Sequence, residues 1–186
     1  MNERDKMING ELYNAEDKSL VMDRQKCKSL CFEFNRTPFD ERDKMTKIIR
    51  KLFGKTKNNF YLNPVFFCDY GYNIEIGENF YSNHNLVILD CAKVTFGDNV
   101  FIGPNCGFYT AGHPLDAKTR NTGLEFAKPI TVGNNVWFGG NVVVMPGVTI
   151  GNNCVIGAGS VVTKDIPPNV IAVGNPCKVL REIDKE

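Results

Sequence analysis

The stretch ITVGNNVWFGGNVVVMPGVTIGNNCVIGAGSVV, running from Ile130 to Val162, decides how the rest of the chain is read. Every sixth residue from Val132 gives Val132, Phe138, Val144, Ile150, Ile156 and Val162; every sixth from Ile130 gives Ile130, Val136, Val142, Val148, Cys154 and Ser160. Both series are apolar or small, and glycine follows the first at Gly133, Gly139, Gly151 and Gly157. A period of six fits neither a helix nor a plain alternating strand. It is the period of a parallel β-helix, in which short strands coil around a triangular section and stack turn on turn.

The phrase Ile130-Thr131-Val132-Gly133-Asn134-Asn135 recurs as Val148 to Asn153, and upstream as Ile74 to Asn79 and Val94 to Asn99. Gly followed by Asn or Asp and then Asn is corner chemistry, because these residues tolerate positive φ where a coil turns. The rhythm stops for a polar stretch, 110–129, which contains Gly112-His113-Pro114. Such a stretch is expected to leave one corner as an extruded loop, a setting that more often carries function than not. After Val162 the repeat gives way to a C-terminal cap, 163–186.

Upstream of about residue 59 there is no repeat. Leu20, Arg24, Cys27, Leu30, Cys31 and Phe34 recur at three- and four-residue steps, and Met45, Ile48, Ile49, Leu52 and Phe53 share one helical face before Gly54. Thr37-Pro38-Phe39-Asp40 reads as the start of the second helix, with Thr37 as its cap. The expected organisation is a helical region over 1–58 followed by a β-helix over 59–186.

Lys and Arg number 22 against 21 Asp and Glu, and no basic stripe with interleaved aromatics is present, which argues against nucleic acid as a partner. The N-terminus lacks a signal-peptide core and no apolar run could span a membrane, so a soluble, cytoplasmic protein is expected. The seven cysteines form no CxxC pair; they are read as reduced structural residues, with Cys106 and Cys154 on inward positions, and no metal is expected.

The chain has only two histidines. His113, in the interrupting loop, is placed to act as a general base near neutral pH. A loop histidine bonded to a backbone carbonyl accounts for the same residues equally well. His84 reads as an ordinary corner histidine. Its neighbours Asn83 and Asn85, taken as part of an extended strand, would face one side together, where an amide can donate to a developing oxyanion.

Several phrases resemble the maltose and galactoside O-acetyltransferases of the hexapeptide-repeat superfamily along nearly the whole chain. They are Gly10-Glu11-Leu12-Tyr13, Asp69-Tyr70-Gly71, Asn83-His84-Asn85-Leu86, Gly112-His113-Pro114, Asn135-Val136-Trp137, Pro146 to Gly151, Gly157 to Pro167 and the tail from Gly174 to Arg181. The resemblance implies a mainly β fold, a left-handed parallel β-helix with a small N-terminal helical region, which is the exception to right-handed parallel crossovers. It also implies a homotrimer with active sites between subunits, acetyl-CoA as donor and a sugar hydroxyl as acceptor.

By the same resemblance His113 is the base of a direct ternary-complex attack and Asn83 contacts the acceptor and the oxyanion. Asp69 and Asp90 bind the acceptor, although Cys91 stands where the galactoside branch has a second acid. Gly140, Ala158, Thr163, Lys164, Lys178 and Arg181 hold CoA. Trp137 is read either as stacking on the pantetheine arm or as covering a trimer seam. A zinc-dependent hexapeptide enzyme is excluded by arithmetic, since three histidine ligands are needed. A non-catalytic scaffold, or a CoA-dependent enzyme with a non-sugar acceptor, remains as the alternative.

Overall fold

The computed structural model describes residues 1–184. Four helices, α1 (Glu3–Ile8), α2 (Lys18–Arg36), α3 (Arg42–Leu52) and α4 (Ala117–Arg120), accompany three stacks of short parallel strands. The first face stacks Lys55–Thr56, Ile74–Ile76, Val94–Phe96, Ile130–Val132 and Thr149–Ile150. The second stacks Phe60–Leu62, Phe80–Ser82, Val100–Ile102, Val136–Phe138, Cys154–Ile156 and Val170–Val173. The third stacks Phe66–Cys68, Leu86–Leu89, Gly107–Tyr109, Val143–Val144 and Val161–Val162. The chain visits first, second and third face in turn, making a β-helix of about six coils.

Both six-residue series point inward: every member from Ile130 to Val162 is buried, while Thr131, Trp137 and Thr149 between them are exposed. At the coil's centre Phe80, Phe96, Phe108 and Phe138 meet edge to face, with centroids 5.1, 4.9 and 5.2 Å apart. Such contacts add to the burial of the rings themselves.

The corners divide their labour between two residue types. Positive φ falls on the asparagine that closes each phrase, at Asn79, Asn99, Asn135 and Asn153, and again at Asn169. The glycine instead permits close stacking: a Cβ on Gly97 would lie 2.7 Å from the carbonyl carbon of Gly133. Asparagine side chains tie neighbouring coils along the corner, with Asn79 Nδ2 donating to Asn99 Oδ1 (2.9 Å) and Asn99 Nδ2 to Asn135 Oδ1 (3.1 Å).

The open ends are closed differently. At the C-terminal end Lys178–Glu182 pairs antiparallel with Val170–Val173. At the N-terminal end α2 lies on the outermost strand of the third face and satisfies its backbone, an exposed edge that would otherwise invite pairing. Asn35 Nδ2 donates to the Phe66 carbonyl (2.9 Å), and the Phe66 N–H donates to Asn35 Oδ1 (2.8 Å). The expected helix start at Thr37 is not formed. Thr37 ends α2, its hydroxyl donating to the Glu33 carbonyl (2.8 Å), and α3 begins at Arg42 after Glu41, which makes no side-chain cap. A threonine bonds a carbonyl four residues back as readily as it caps forward. The first strand of the stack, Lys55–Thr56, lies upstream of the expected boundary at 59.

Candidate active site

His113 emerges from the corner between the third and first faces, in a loop more ordered than its sequence suggested. Ala111–Gly112 pairs antiparallel with Leu124–Ala127, and Leu124–Ala127 pairs with Tyr13–Asn14 from the N-terminal region. The Tyr13 hydroxyl donates to Glu125 Oε2 (2.8 Å). A small apolar cluster of Met7, Tyr13, Leu20, Tyr70, Cys91 and Ala127 lies beneath this sheet. Tyr13 lies within a quoted motif, but no role could be given to it until its partner Glu125 was known.

His113 is exposed, and its Nδ1 lies 3.3 Å from the Leu124 carbonyl oxygen. A proton on Nδ1 donated to that carbonyl leaves Nε2 as the nitrogen with a free lone pair. The carbonyl contact, which looked like the alternative to a basic role, is therefore compatible with one.

Asn83 sits at a different corner, between the second and third faces. The segment from Asn83 to Asn85 is a turn that follows the strand Phe80–Ser82, and Asn85 takes φ 62°. The two asparagines diverge accordingly: Asn85 Nδ2 donates to Asn105 Oδ1 (2.9 Å), joining a corner ladder. Asn83 Oδ1 accepts from the His84 N–H (2.7 Å), so the oxygen is pinned and, among the described residues, its Nδ2 has no partner. Asn83 and Gly140 line one groove of about 270 Å³ with Tyr81, Phe101, Pro104 and Trp137, whose ring is exposed. Ala158 lies one coil beyond Gly140 on the same corner, and the Gly159 N–H donates to the Gly140 carbonyl (2.9 Å). Among the described residues the amides of Gly140 and Ala158 themselves have no acceptor.

Thr163 and Lys164 are exposed at the His113 corner, in a turn whose Asp165 Oδ1 accepts the Thr149 N–H (2.7 Å). Lys178 opens the last strand and forms no ion pair among the described residues. Arg181 sits further along it and is paired with Asp184 (2.8 Å). Within one chain, then, the expected CoA residues occupy two corners and the closing strand.

Asp69 and Asp90 both lie at the His113 corner but differ in access. Asp69 is partly exposed; Cys91 Sγ donates to its Oδ2 (3.6 Å), and burial pushes its carboxyl up. Asp90 departs from the expected acceptor contact, because it is fully buried. Its Oδ1 accepts the N–H groups of Asp69 (3.0 Å) and Tyr70 (2.9 Å), and Oδ2 is buried without a partner. Asp90 thus holds the turn that presents Asp69. Desolvation pushes its carboxyl up to about 7. Arg24 approaches the same corner from α2, donating to the Tyr70 hydroxyl (2.9 Å), a residue that periodicity had assigned only to a helix face.

Among the described residues no helix is long and apolar enough to cross a membrane. Two family patterns match the chain: the maltose acetyltransferase hexapeptide capping motif over residues 6–57, and the bacterial transferase hexapeptide (six repeats) over residues 129–164. The chain is 55% identical to a putative acetyltransferase of Saccharomyces cerevisiae, over 97% of this chain and 92% of that one. The crystal structure of a maltose O-acetyltransferase from Clostridium difficile superposes with a TM-score of 0.96 at 51% identity, covering 100% of this chain and 99% of that one. The structure of a galactoside acetyltransferase in complex with coenzyme A also gives 0.96, at 46% identity, covering 99% of this chain and 92% of that one.

Proposed function

Because the chain belongs to the maltose/galactoside O-acetyltransferase family of hexapeptide-repeat proteins, we propose that it moves an acetyl group from acetyl-CoA to a sugar hydroxyl, in sites formed between subunits of a homotrimer. The observation that carries this reading is the division of the expected residues between two corners of one prism. His113, Thr163 and Lys164 stand at one corner; Asn83, Gly140 and Ala158 stand at another. Docking the first corner against the second corner of a neighbouring copy joins base to amide donor, and turn cation to amide track, in a single step. Such an interface is heterologous, and a heterologous contact whose rotation closes after three copies makes a trimeric ring.

In the assembled site His113 Nε2 accepts the acceptor's hydroxyl proton as the oxygen attacks the thioester carbon. The Asn83 amide donates to the oxyanion that develops. Collapse of the tetrahedral species breaks the C–S bond, and the imidazolium returns its proton to the departing CoA sulfur. No covalent enzyme intermediate forms. Asp69, presented by the Asp90-held turn, binds acceptor hydroxyls beside the base. The free N–H groups of Gly140 and Ala158 suit a pantetheine amide chain running along the groove past Trp137, and Lys164 and Lys178 suit its phosphates.

The test is CoA-thiol release with acetyl-CoA and a panel of sugars. His113→Ala is expected to lower kcat by about 10²–10⁴, the range for a lost general base, while leaving the assembly intact by sedimentation. Acceptor-dependent release unchanged in that variant would sink the assigned base. No turnover with any hydroxyl acceptor would favour the scaffold reading instead.

A further inference from the structure

Three cysteines far from any CxxC pattern converge in the structure. Cys27 and Cys31 stand one turn apart on α2, and Cys68 ends the outermost strand of the third face beneath them. Their sulfurs all lie within 4.8 Å of one another, with Cys27 to Cys68 at 3.4 Å and Cys31 to Cys68 at 3.9 Å. We propose that Cys27, Cys31 and Cys68 form a binding site for one soft, thiophilic metal ion of the zinc, cadmium or copper(I) class.

Geometry is the first support. An ion bonded to three sulfurs at ~2.3 Å holds them ~3.8–4.0 Å apart, close to the separations already present. Ligand chemistry is the second: three thiols with no imidazole or carboxylate in the triangle select soft ions over calcium or magnesium. Access is the third. The side chains are buried, yet Cys31 and Cys68 form the floor of a groove of about 280 Å³ lined also by Lys28, Phe32, Arg36 and Phe67. Lys28 and Arg36 put positive charge beside a site where three thiolates around a divalent ion would leave a net negative one.

Apolar burial alone explains a cysteine in a core, but not three sulfurs directed at one point. The chain supplies its own comparison: Cys106 and Cys154 are equally buried and meet only backbone carbonyls, whereas Cys27, which also donates to the Cys68 carbonyl (3.2 Å), meets sulfur as well. A bound ion would tie α2 to the first coil of the β-helix.

The test titrates the fully reduced protein with Cd²⁺ under anaerobic conditions and follows thiolate-to-metal charge-transfer absorption. Saturation at one ion per chain is expected, with apparent affinity at least tenfold weaker in Cys31→Ser and Cys68→Ser and unchanged in Cys106→Ser. A second measurement does not depend on the variants folding: in the wild-type protein Cd²⁺ should shield Cys27, Cys31 and Cys68 from alkylation, mapped by mass spectrometry, and leave Cys106 and Cys154 as reactive as before. Absence of the band, a band undiminished in both folded variants, alkylation of the three unaffected by the ion, or conversion of Cys27 and Cys68 to a disulfide that displaces binding would each overturn the proposal.

Discussion

Asp90→Asn is the substitution whose consequence can be worked most fully from the structure. The carboxyl is fully buried, and burial raises it from an ordinary 3.8 to about 7. The folded protein therefore holds a proton that the unfolded chain releases, and unfolding stability must fall as pH rises between these values. The stabilising contribution is fully present below about pH 4 and is lost as pH rises through about 7. Each pKa step is about 1.4 kcal/mol, so the whole change approaches about 4 kcal/mol. Asparagine keeps the acceptor for the N–H groups of Asp69 and Tyr70 and carries no charge to desolvate. Urea unfolding of both proteins at fixed concentration, from pH 4 to pH 8, should give similar midpoints in acid and a variant increasingly ahead towards pH 8, with m unchanged. A difference that stays constant to within about 1 kcal/mol across that range would mean that Asp90 ionises in the fold like an ordinary acid, and the desolvation argument would be wrong.

Other expectations concern the coil and the donor. Phe108→Ala removes a fully buried ring that meets Phe96 and Phe138 edge to face, and should cost about 5 kcal/mol by urea unfolding, the upper end for such truncations. Asn99→Ala places alanine at φ 56° and cuts the corner ladder on both sides; about 2 kcal/mol is expected, with Asn99→Gly costing less because glycine accepts that φ. Lys164→Ala and Lys178→Ala should each raise the KM for acetyl-CoA about tenfold, as for one lost charged hydrogen bond, with kcat kept. An effect on kcat alone would contradict a role in ground-state binding.

What the sequence made legible follows from what repeats. The six-residue series in 130–162 named every inward side chain of those coils, because each coil repeats the same burial problem. Within the repeat it was too coarse where chemistry is divided between neighbours: it named glycine and asparagine together for the positive φ that the closing asparagine alone takes, and it treated Asn83 to Asn85 as extended although Asn85 is left-handed. The candidate site was legible as a set of residues and not as an arrangement. His113 and Asn83 could be picked out singly, but only the topology reveals that one chain holds them at different corners. Asp90 could not be told from an exposed acid, since its burial comes from packing distant in sequence. The thiol cluster escaped because a search for paired cysteines two residues apart overlooks the helical spacing of Cys27 and Cys31, and Cys68 arrives from another element.

The neck of the His113 loop carries a further consequence. Lys128 N–H donates to the Thr110 carbonyl (2.9 Å), and Ile130 then pairs with Val94 as though the intervening residues were absent. The stack of strands thus resumes unbroken beyond that corner, while the hanging segment is moored to Tyr13–Asn14, more than a hundred residues upstream. The strand pairings of the stack do not run through the loop, which rests on the coil through the small cluster of Tyr70, Cys91 and Ala127. Trimming the first fourteen residues is expected to cast the histidine adrift and to uncover Tyr70 and Cys91 at the same corner.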